Sequence, residues 1–306
     1  MTFESSLDVL SDPDQRISSQ QLVDFSNLDT DENQRFAELW PSLDSGRRLG
    51  FVSELTDLAQ DNVELNFDAV FKTALRDEEP EVRAAAVRGL YEYEGTDLIP
   101  VLADTLRSDP DAEVRREAAI ALGRFALAAE LGYLRDSDIE AVKEVLIESA
   151  EDLDEDERVR ARAIEALGAI SGEDTENLIE SIYHEDSLWL KVGAVDAMGR
   201  NAAEEWLPTI IQELSSASPE MRHAAAFAAG EIGSEEAVAP LRTLVLQDRD
   251  REVQLTAIHA ISEIGGAQGR VALKSLLYEG DDELRAAIEE AINEMSYRED
   301  PLSPPL

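Results

Sequence analysis

Apolar residues along this chain recur with a helical period inside a unit of about 31 residues. Each unit contains a phrase that is apolar at its first position and again about four, five and eight residues later. This spacing places the apolar residues on one side of a helix with about 3.6 residues per turn. The successive phrases start 32, 45, 31, 31, 32 and 31 residues apart, which predicts an array of similar structural units. The seven phrases begin at Val82, Val114, Val159, Leu190, Met221, Val253 and Leu284.

Each unit is predicted to form two helices. A second amphipathic segment precedes every phrase, as in residues 98–106 and 206–214. Asp, Ser and Pro lie between the two segments, where they can cap and begin the following helix. No segment alternates between apolar and polar residues over a useful length, so no strand is predicted. Glycines after the phrase are expected to end the second helices in a left-handed conformation, namely Gly123, Gly168, Gly199 and Gly230.

A single helix pair of this size cannot bury its own apolar face, so neighbouring pairs must stack and share one core. Alanine stands four residues into most of the phrases, which lets adjacent helices approach closely. The pattern therefore predicts an all-α fold. We expect a right-handed α-solenoid, or superhelix, of about seven helix pairs with a divergent N-terminal capping pair.

Four regions are expected along the chain. Residues 1–30 form an acidic segment with short docked helices near residues 3–10 and 19–28, and residues 31–65 form the capping pair. Residues 66–296 form the solenoid, and the one long separation indicates an insertion around residues 125–157. The insertion is expected to contain a second helix that continues to about Leu131, and then a longer loop. Residues 297–306 are expected to be a disordered tail, because three of the last six residues are proline.

Arginine follows the first residue of five phrases. One interpretation is a stripe that binds anions. The other is a structural ladder in which each guanidinium bonds carboxylates and carbonyls of the turns, such as those of Asp77, Asp109, Asp186 and Asp248. We prefer the ladder, because one Arg and one turn Asp per unit are what stacked units need. Its members are Arg83, Arg115, Arg160, Arg222 and Arg285.

The phrases VRREAAIALG and VRARAIEALG, and the turn D-x-x-P-E-V-R of residues 77–83, resemble HEAT-like repeats of the phycobilisome-lyase type. The resemblance covers about residues 66–296 and implies an α-solenoid. In that family the solenoid clasps a linear tetrapyrrole and a phycobiliprotein. An accessory or lyase-like role in chromophore or cofactor attachment is therefore the alternative function. The same repeats occur widely in proteins without pigment chemistry, so the resemblance specifies a fold more than an activity.

Composition excludes several functions. The chain has 67 Asp and Glu against 27 Lys and Arg, a formal net charge of −40, and no Cys. Without a segregated basic face such a chain repels nucleic acid and anionic membranes, so neither is an expected partner. The absence of Cys rules out disulfides, thiolate metal sites and cysteine nucleophiles. The first ten residues do not resemble a signal peptide and no apolar run could span a bilayer, so a cytoplasmic protein is expected.

The acidity has two explanations. Many carboxylates, with 4 Lys beside 23 Arg, resemble the composition of proteins from saline or GC-rich organisms, in which carboxylates maintain hydration. Alternatively, the concave face of the solenoid is acidic and selects a basic partner, with an affinity that falls as salt rises.

Candidate catalytic chemistry is sparse. The resemblance extends to deoxyhypusine hydroxylase, in which His–Glu pairs on repeat helices hold a di-iron centre, but here Ala224 and Ala260 follow two of the three histidines. The third, His184, precedes Glu185 in a turn between helices. The run from Glu151 to Glu157 is interpreted as a solvated turn, or alternatively as a docking site for a basic partner or a divalent cation. We predict no catalytic residue, metal site or cofactor, and no enzyme.

A binding surface follows from the helical register. Second helices of solenoids usually line the concave face, and positions two and six residues into each phrase lie outside the core stripe. Apolar and imidazole side chains gather there in the fifth and sixth units; if the register is off by one, they pack inside instead. Trp189 and Trp206 are expected in the core or cap. We predict a monomeric, non-catalytic scaffold that binds a protein or peptide through His223, Phe227, Leu255, His259, Val192, Arg116 and Ile120.

Overall fold

Stacked pairs of helices make up the structure, a computed structural model that describes residues 2–279 and 281–299. Within these residues it contains eighteen α-helices and no strand, which confirms the predicted all-α class. The chain divides into two compact units, residues 1–145 and residues 146–306. The division falls inside a single helix.

The first unit contains the N-terminal helices and two complete helix pairs. Short 3-10 turns follow α2 and α3. Helix α6 packs between α4 and α8, and each of α6 and α8 packs on the first helix of its own pair. In chain order the helices are α1 (Phe3–Ser11), α2 (Ser19–Leu22), α3 (Thr30–Leu39), α4 (Ser45–Asp61), α5 (Asp68–Ala74), α6 (Pro80–Gly89), α7 (Leu98–Ser108), α8 (Ala112–Glu130) and the first part of α9 (Asp136–Glu151).

The acidic N-terminal segment docks on α3 and α4 through an aromatic cluster. The ring of Phe25 is fully buried, and its centroid lies 5.6 Å from that of Phe3, 6.0 Å from Phe36 and 4.9 Å from Phe51. The guanidinium of Arg47 also donates to the backbone carbonyl of Leu10 at 2.6 Å. Burying several large rings at one place supplies most of the driving force for this docking.

The second unit repeats one helix pair along its length. Second helices α10, α12, α14, α16 and α18 pack in a row, and the first helices α11, α13, α15 and α17 each pack on the second helix that follows. Side chains of Asp156, Ser187, Ser218 and Asp250 cap the N-termini of α10, α12, α14 and α16, which satisfies amide groups that have no intrahelical partner. The helices are α10 (Glu157–Leu167), α11 (Glu173–Tyr183), α12 (Leu188–Asn201), α13 (Leu207–Glu213), α14 (Pro219–Ile232), α15 (Val238–Gln247), α16 (Arg251–Ile264), α17 (Gly266–Leu276) and α18 (Asp282–Glu299).

Glycine after the phrase sets the distance between second helices. A Cβ on Gly199 would lie 2.6 Å from Cα of Ala228, and one on Gly168 would lie 2.6 Å from Cα of Ala197. The prediction that these glycines end the helices in a left-handed conformation is wrong. Gly199 and Gly230 lie inside α12 and α14, and Gly168 caps α10 with a right-handed φ of −52°. They are needed because the next backbone passes too close for a side chain.

The insertion and the tail differ in detail from expectation. Helix α8 ends at Glu130, a five-residue loop follows, and α9 is itself sixteen residues long, so most of the insertion is helix. Residues 297–299 were predicted to belong to the disordered tail but continue α18. The other residues of the predicted tail, 300–306, lie outside the described residues.

Candidate functional site

Five of the seven predicted binding residues lie on three adjacent second helices of the second unit. His223 and Phe227 are exposed on α14, and His259 is exposed on α16; Phe227 keeps 38% of its surface accessible. Val192 on α12 and Leu255 on α16 are partly exposed. These side chains do not pack inside, as they would if the predicted register were off by one.

Trp189 belongs to the same face, although the sequence interpretation expected it in the core or cap. It is 44% exposed, and the guanidinium carbon of Arg158 lies 4.7 Å from its ring centroid. Trp189, Val192 and Asp196 are spaced three and four residues apart on α12, so they share one side of the helix. The sequence could have indicated this exposure, because Trp189 lies three residues before Val192 and continues the same stripe along the helix. Trp206, by contrast, is buried at 8% exposure.

We call this face the second-helix surface and define it by Trp189, Val192, His223, Phe227, Leu255 and His259. Glutamates flank it along α14 and α16, where Glu220, Glu231, Glu252 and Glu263 are all exposed. Glu263 is engaged by Arg298 at 2.7 Å and lies 3.4 Å from Nε2 of His259. The surface is therefore an apolar and imidazole patch with carboxylates at both ends.

A cluster of charged residues borders the patch on α10 and α12. Glu165 accepts a hydrogen bond from Arg200 at 2.6 Å and is also paired with Arg162. Burial raises the pKa of Asp196 to about 7, and the nearby carboxylate of Glu165 adds to the effect while Arg162 and Arg200 oppose it. Asp196 thus changes charge near neutral pH at the edge of the patch.

This shifted carboxyl predicts a pH-dependent stability. An acid whose pKa rises from 3.8 to about 7 on folding takes up a proton in the folded state, so the free energy of unfolding falls as pH rises through that window. We expect Asp196→Asn to be more stable than the parent at pH 8, with a difference that shrinks towards pH 4. Urea unfolding at both pH values measures this. Glu290→Gln, an exposed carboxyl at the same repeat position, serves as the control, and a difference independent of pH would contradict the assignment.

The repeated arginines connect neighbouring units through turn residues. Arg83 forms two hydrogen bonds with the carboxylate of Asp109, at 2.7 and 2.8 Å, and also donates to the carbonyl of Asp77. Arg222 binds Asp248 in the same way, at 2.6 and 2.8 Å. Arg115 donates to the carbonyl of Asp109 at 2.7 Å. These guanidinium groups therefore form hydrogen bonds within the fold.

Two members of the predicted ladder depart from the expected partners. Arg160 pairs with Glu185 at 2.8 Å, not with the neighbouring Asp186, and also donates to the carbonyl of Ala150. Arg285 bonds Asp282 on its own helix and the carbonyl of Leu277.

A further arginine of this kind lies on α4, and the sequence interpretation missed it. Arg48 is buried at 3% exposure, lies 3.0 Å from the carboxylate of Asp77 and 3.0 Å from that of Glu78, and donates to the carbonyl of Leu43. The indole Nε1 of Trp40 also donates to Asp77 at 2.6 Å. Arg48 was missed because α4 does not contain the repeated phrase.

The two remaining predicted binding residues, Arg116 and Ile120, lie on α8 in the first unit. Arg116 is engaged locally, since it donates to Glu113 on its own helix at 2.8 Å and to Glu117 at 2.8 Å. Ile120 lines a separate cleft between helices of that unit. Neither residue belongs to the second-helix surface.

The acidic run at residues 151–157 is a short connection between helices. Asp156 caps α10, accepting a hydrogen bond from the amide of Arg158 at 2.8 Å, and Glu157 accepts one from Ser187 at 2.6 Å. Within residues 2–279 and 281–299, no group of three or more His, Asp or Glu side chains is arranged to hold a metal ion. Over the same described residues, no helix combines the length and apolar character of a membrane span.

Comparisons with known proteins agree with this architecture. A family model described as HEAT repeats matches residues 67–137 and 207–293, just over half of the chain. No curated protein matches the chain in sequence.

Solved structures give the same result at low sequence identity. The complex of CpcE and CpcF of phycocyanin lyase from a Nostoc species is 16% identical, with 96% of this chain and 95% of that chain covered and a TM-score of 0.54. Yeast importin-beta is 16% identical, with 98% of this chain and 47% of that chain covered and a TM-score of 0.55. Human deoxyhypusine hydroxylase is 17% identical over 96% of both chains, with a TM-score of 0.38. The first two likenesses show a shared α-solenoid fold.

Proposed function

The chain belongs to the HEAT-repeat family, and from this membership and the second-helix surface we propose that it is a non-catalytic scaffold that binds a partner protein or peptide. The observation that carries the proposal is the exposure of Trp189 and Phe227, at 44% and 38%, on neighbouring second helices. Large aromatic side chains contribute strongly to binding when a partner covers them. In this solenoid they stand on helices whose spacing is fixed by close Gly–Ala contacts, so the patch is presented without a folding step.

The partner we propose is a basic segment with apolar side chains. Carboxylates flank the patch along α14 and α16, at Glu220, Glu231 and Glu252, and the whole chain carries a formal net charge of −40. Such a field attracts a cationic segment and accelerates its encounter. The apolar centre then favours a partner that can bury side chains there. Because equal charges repel, we expect the scaffold to act as a monomer.

Affinity capture from native cytoplasmic extract, with quantitative mass spectrometry, tests this proposal. The double variant Phe227→Ser with Leu255→Ser removes apolar contacts from the patch without changing charge. We expect it to lose at least about 90% of the partner captured by the parent chain, since a few buried anchors carry most of the binding energy. Capture is also expected to weaken as salt rises, because exposed charges are screened.

The matched control alters exposed apolar residues on first helices of the same unit. Leu246 on α15 and Val271 on α17 are 37% and 70% exposed, and Leu246→Ser with Val271→Ser is expected to retain capture. Circular dichroism establishes that both double variants fold. Equal loss in the two variants, or unchanged capture by the Phe227 and Leu255 variant, would exclude this surface as the binding site.

The alternative function, chromophore or cofactor attachment, is supported by the repeat resemblance and by a fold likeness alone. A visible absorption band that stays with the purified chain through gel filtration would overturn the non-catalytic scaffold in favour of this alternative.

A further inference from the structure

A cleft of about 900 Å³ opens in the first unit and shares no lining residue with the second-helix surface. Its walls come from α4, α6 and α8 and from the loops that follow α4 and α6. Helix α6 ends at Gly89, seven residues after its phrase begins at Val82, whereas α12, α14 and α16 each continue to the eleventh residue. The missing helical turn leaves the side of α8 uncovered at this level.

The floor of the cleft is apolar and fixed in place. Phe67 and Phe71 line it and are each only 1% exposed. The ring of Phe71 packs against Gly89, where an added Cβ would lie 2.6 Å from Cε1 of the ring. Ile120 of α8 is partly exposed in the wall, and Tyr91 is 44% exposed at the mouth. The size suits a short segment of a ligand, and the lining suits an apolar side chain within it.

The rim of the cleft is acidic. Glu92 and Glu94 are exposed on the loop after α6 and line the cleft. Two arginines lie near these carboxylates: Arg88 pairs with the buried carboxylate of Glu117 at 3.0 Å, and the guanidinium carbon of Arg124 lies 5.6 Å from the ring centroid of Tyr91. The carboxylates in the lining outnumber these two cations. A ligand in the cleft therefore meets an apolar floor and negative charge at the mouth.

We propose that this cleft docks a basic peptide segment in which an apolar side chain neighbours Arg or Lys. The apolar side chain packs against the exposed part of Ile120, above the buried rings of Phe67 and Phe71. The charged ends of the basic residues reach Glu92 and Glu94, and their aliphatic stems lie across the mouth of the cleft. Charge complementarity selects a cationic ligand, and the depth of the apolar floor selects against a purely polar one. This site does not depend on the second-helix surface, because its residues all lie in the other unit.

Isothermal titration with two hexapeptide amides of equal charge tests the proposal on the full chain. One peptide alternates Arg and Leu, and the other alternates Arg and Ser. At 0.15 M salt, where screening acts within about 8 Å, we expect the Leu peptide to bind at least about tenfold more tightly. The variant Glu92→Lys with Glu94→Lys is expected to weaken that binding at least about tenfold. Glu54→Lys with Glu140→Lys makes the same change in net charge on exposed helical positions outside the cleft. This control is expected to change the affinity for the Leu peptide less than about threefold.

Hydrogen exchange locates the peptide. We expect slower exchange in residues 90–97 and 117–121, and the same protection in the variant Phe227→Ser with Leu255→Ser, so the two proposed sites succeed or fail separately. Equal affinity for both peptides would mean that net charge alone accounts for the binding, and it would overturn the proposal. Equal losses in the two charge-reversed variants, or protection confined to other segments, would also overturn it.

Discussion

Replacing Arg222 with alanine is expected to destabilise the protein by about 3–5 kcal/mol. Its guanidinium forms two hydrogen bonds with Asp248, at 2.6 and 2.8 Å, and one with the carbonyl of Ser216 at 2.9 Å. The side chain of Asp248 is only 2% exposed. Removing the arginine therefore leaves a buried carboxylate without its counter-charge. Urea unfolding at pH 7 measures the loss.

Two variants separate this mechanism from a general loss of packing. Arg285→Ala changes the arginine at the same repeat position in the last unit, where the guanidinium is 45% exposed and pairs with the fully exposed Asp282, so we expect a much smaller cost than at Arg222. Adding Asp248→Asn to Arg222→Ala removes the stranded charge, and we expect it to restore part of the stability. An equal cost at Arg222 and Arg285 would contradict the ladder.

The ion pair between Arg222 and Asp248 also makes the stability of the protein depend on pH. The hydrogen bonds from Arg222 hold the pKa of Asp248 below its ordinary value of 3.8. The stability contributed by the pair is therefore present above pH 3.8 and is lost as pH falls through the lower folded pKa. The difference between the parent and Arg222→Ala should shrink in that acid range.

Gly199→Ala is expected to lower stability by at least about 1 kcal/mol, because the added methyl group meets backbone that cannot move aside. Its Cβ would lie 2.6 Å from Cα and 2.8 Å from Cβ of Ala228 on the next second helix. Overpacking of this kind costs about 1–3 kcal/mol. Because the added Cβ would lie within 3 Å of both Cα and Cβ of Ala228, we expect this cost to exceed the gain of up to about 1 kcal/mol that alanine brings to a helix interior. Chemical denaturation measures the balance.

Gly50→Ala is the matched control for this prediction. Gly50 lies within α4, is exposed, and has nothing within 4 Å of an added Cβ. The same substitution is expected to raise stability by about 0.5–1 kcal/mol, since only the helix propensity changes. A stabilising effect at both glycines would show that Gly199 has no role in spacing the helices.

The repeat phrase was enough to predict the fold because it records a packing requirement that every unit shares. Apolar positions four and eight residues apart in each phrase can face only a common core, and the turn residues locate the ends of the helices. Val82, Val159 and Val253 are each 1% exposed or less, as the first position of the stripe requires. The insertion was also visible, because it interrupts an otherwise constant separation.

The role of the glycines could not be derived in the same way. A glycine near a helix end is usually explained by local backbone conformation, and the sequence of one unit contains no information about how close the next backbone passes. Gly168 and Gly199 are required by Ala197 and Ala228 of the following units. This requirement is non-local, so it emerges only once the units are stacked.

The sequence predicted the position of the candidate site better than its extent. Phe227 and His259 followed from the register, whereas Trp189, which stands just before the phrase that begins at Leu190, was expected in the core or cap. The cleft of the first unit depends on where α6 ends, and the sequence does not show that the helix stops at Gly89 instead of continuing for another turn.

Hydrogen exchange of the chain with and without its captured partner tests the central claim most directly. If the second-helix surface is the binding site, exchange should slow in α12, α14 and α16, around Trp189, Phe227 and His259, and stay unchanged in the first helices α11, α13 and α15. Protection confined to the first helices, with α12, α14 and α16 unaffected, would contradict the account.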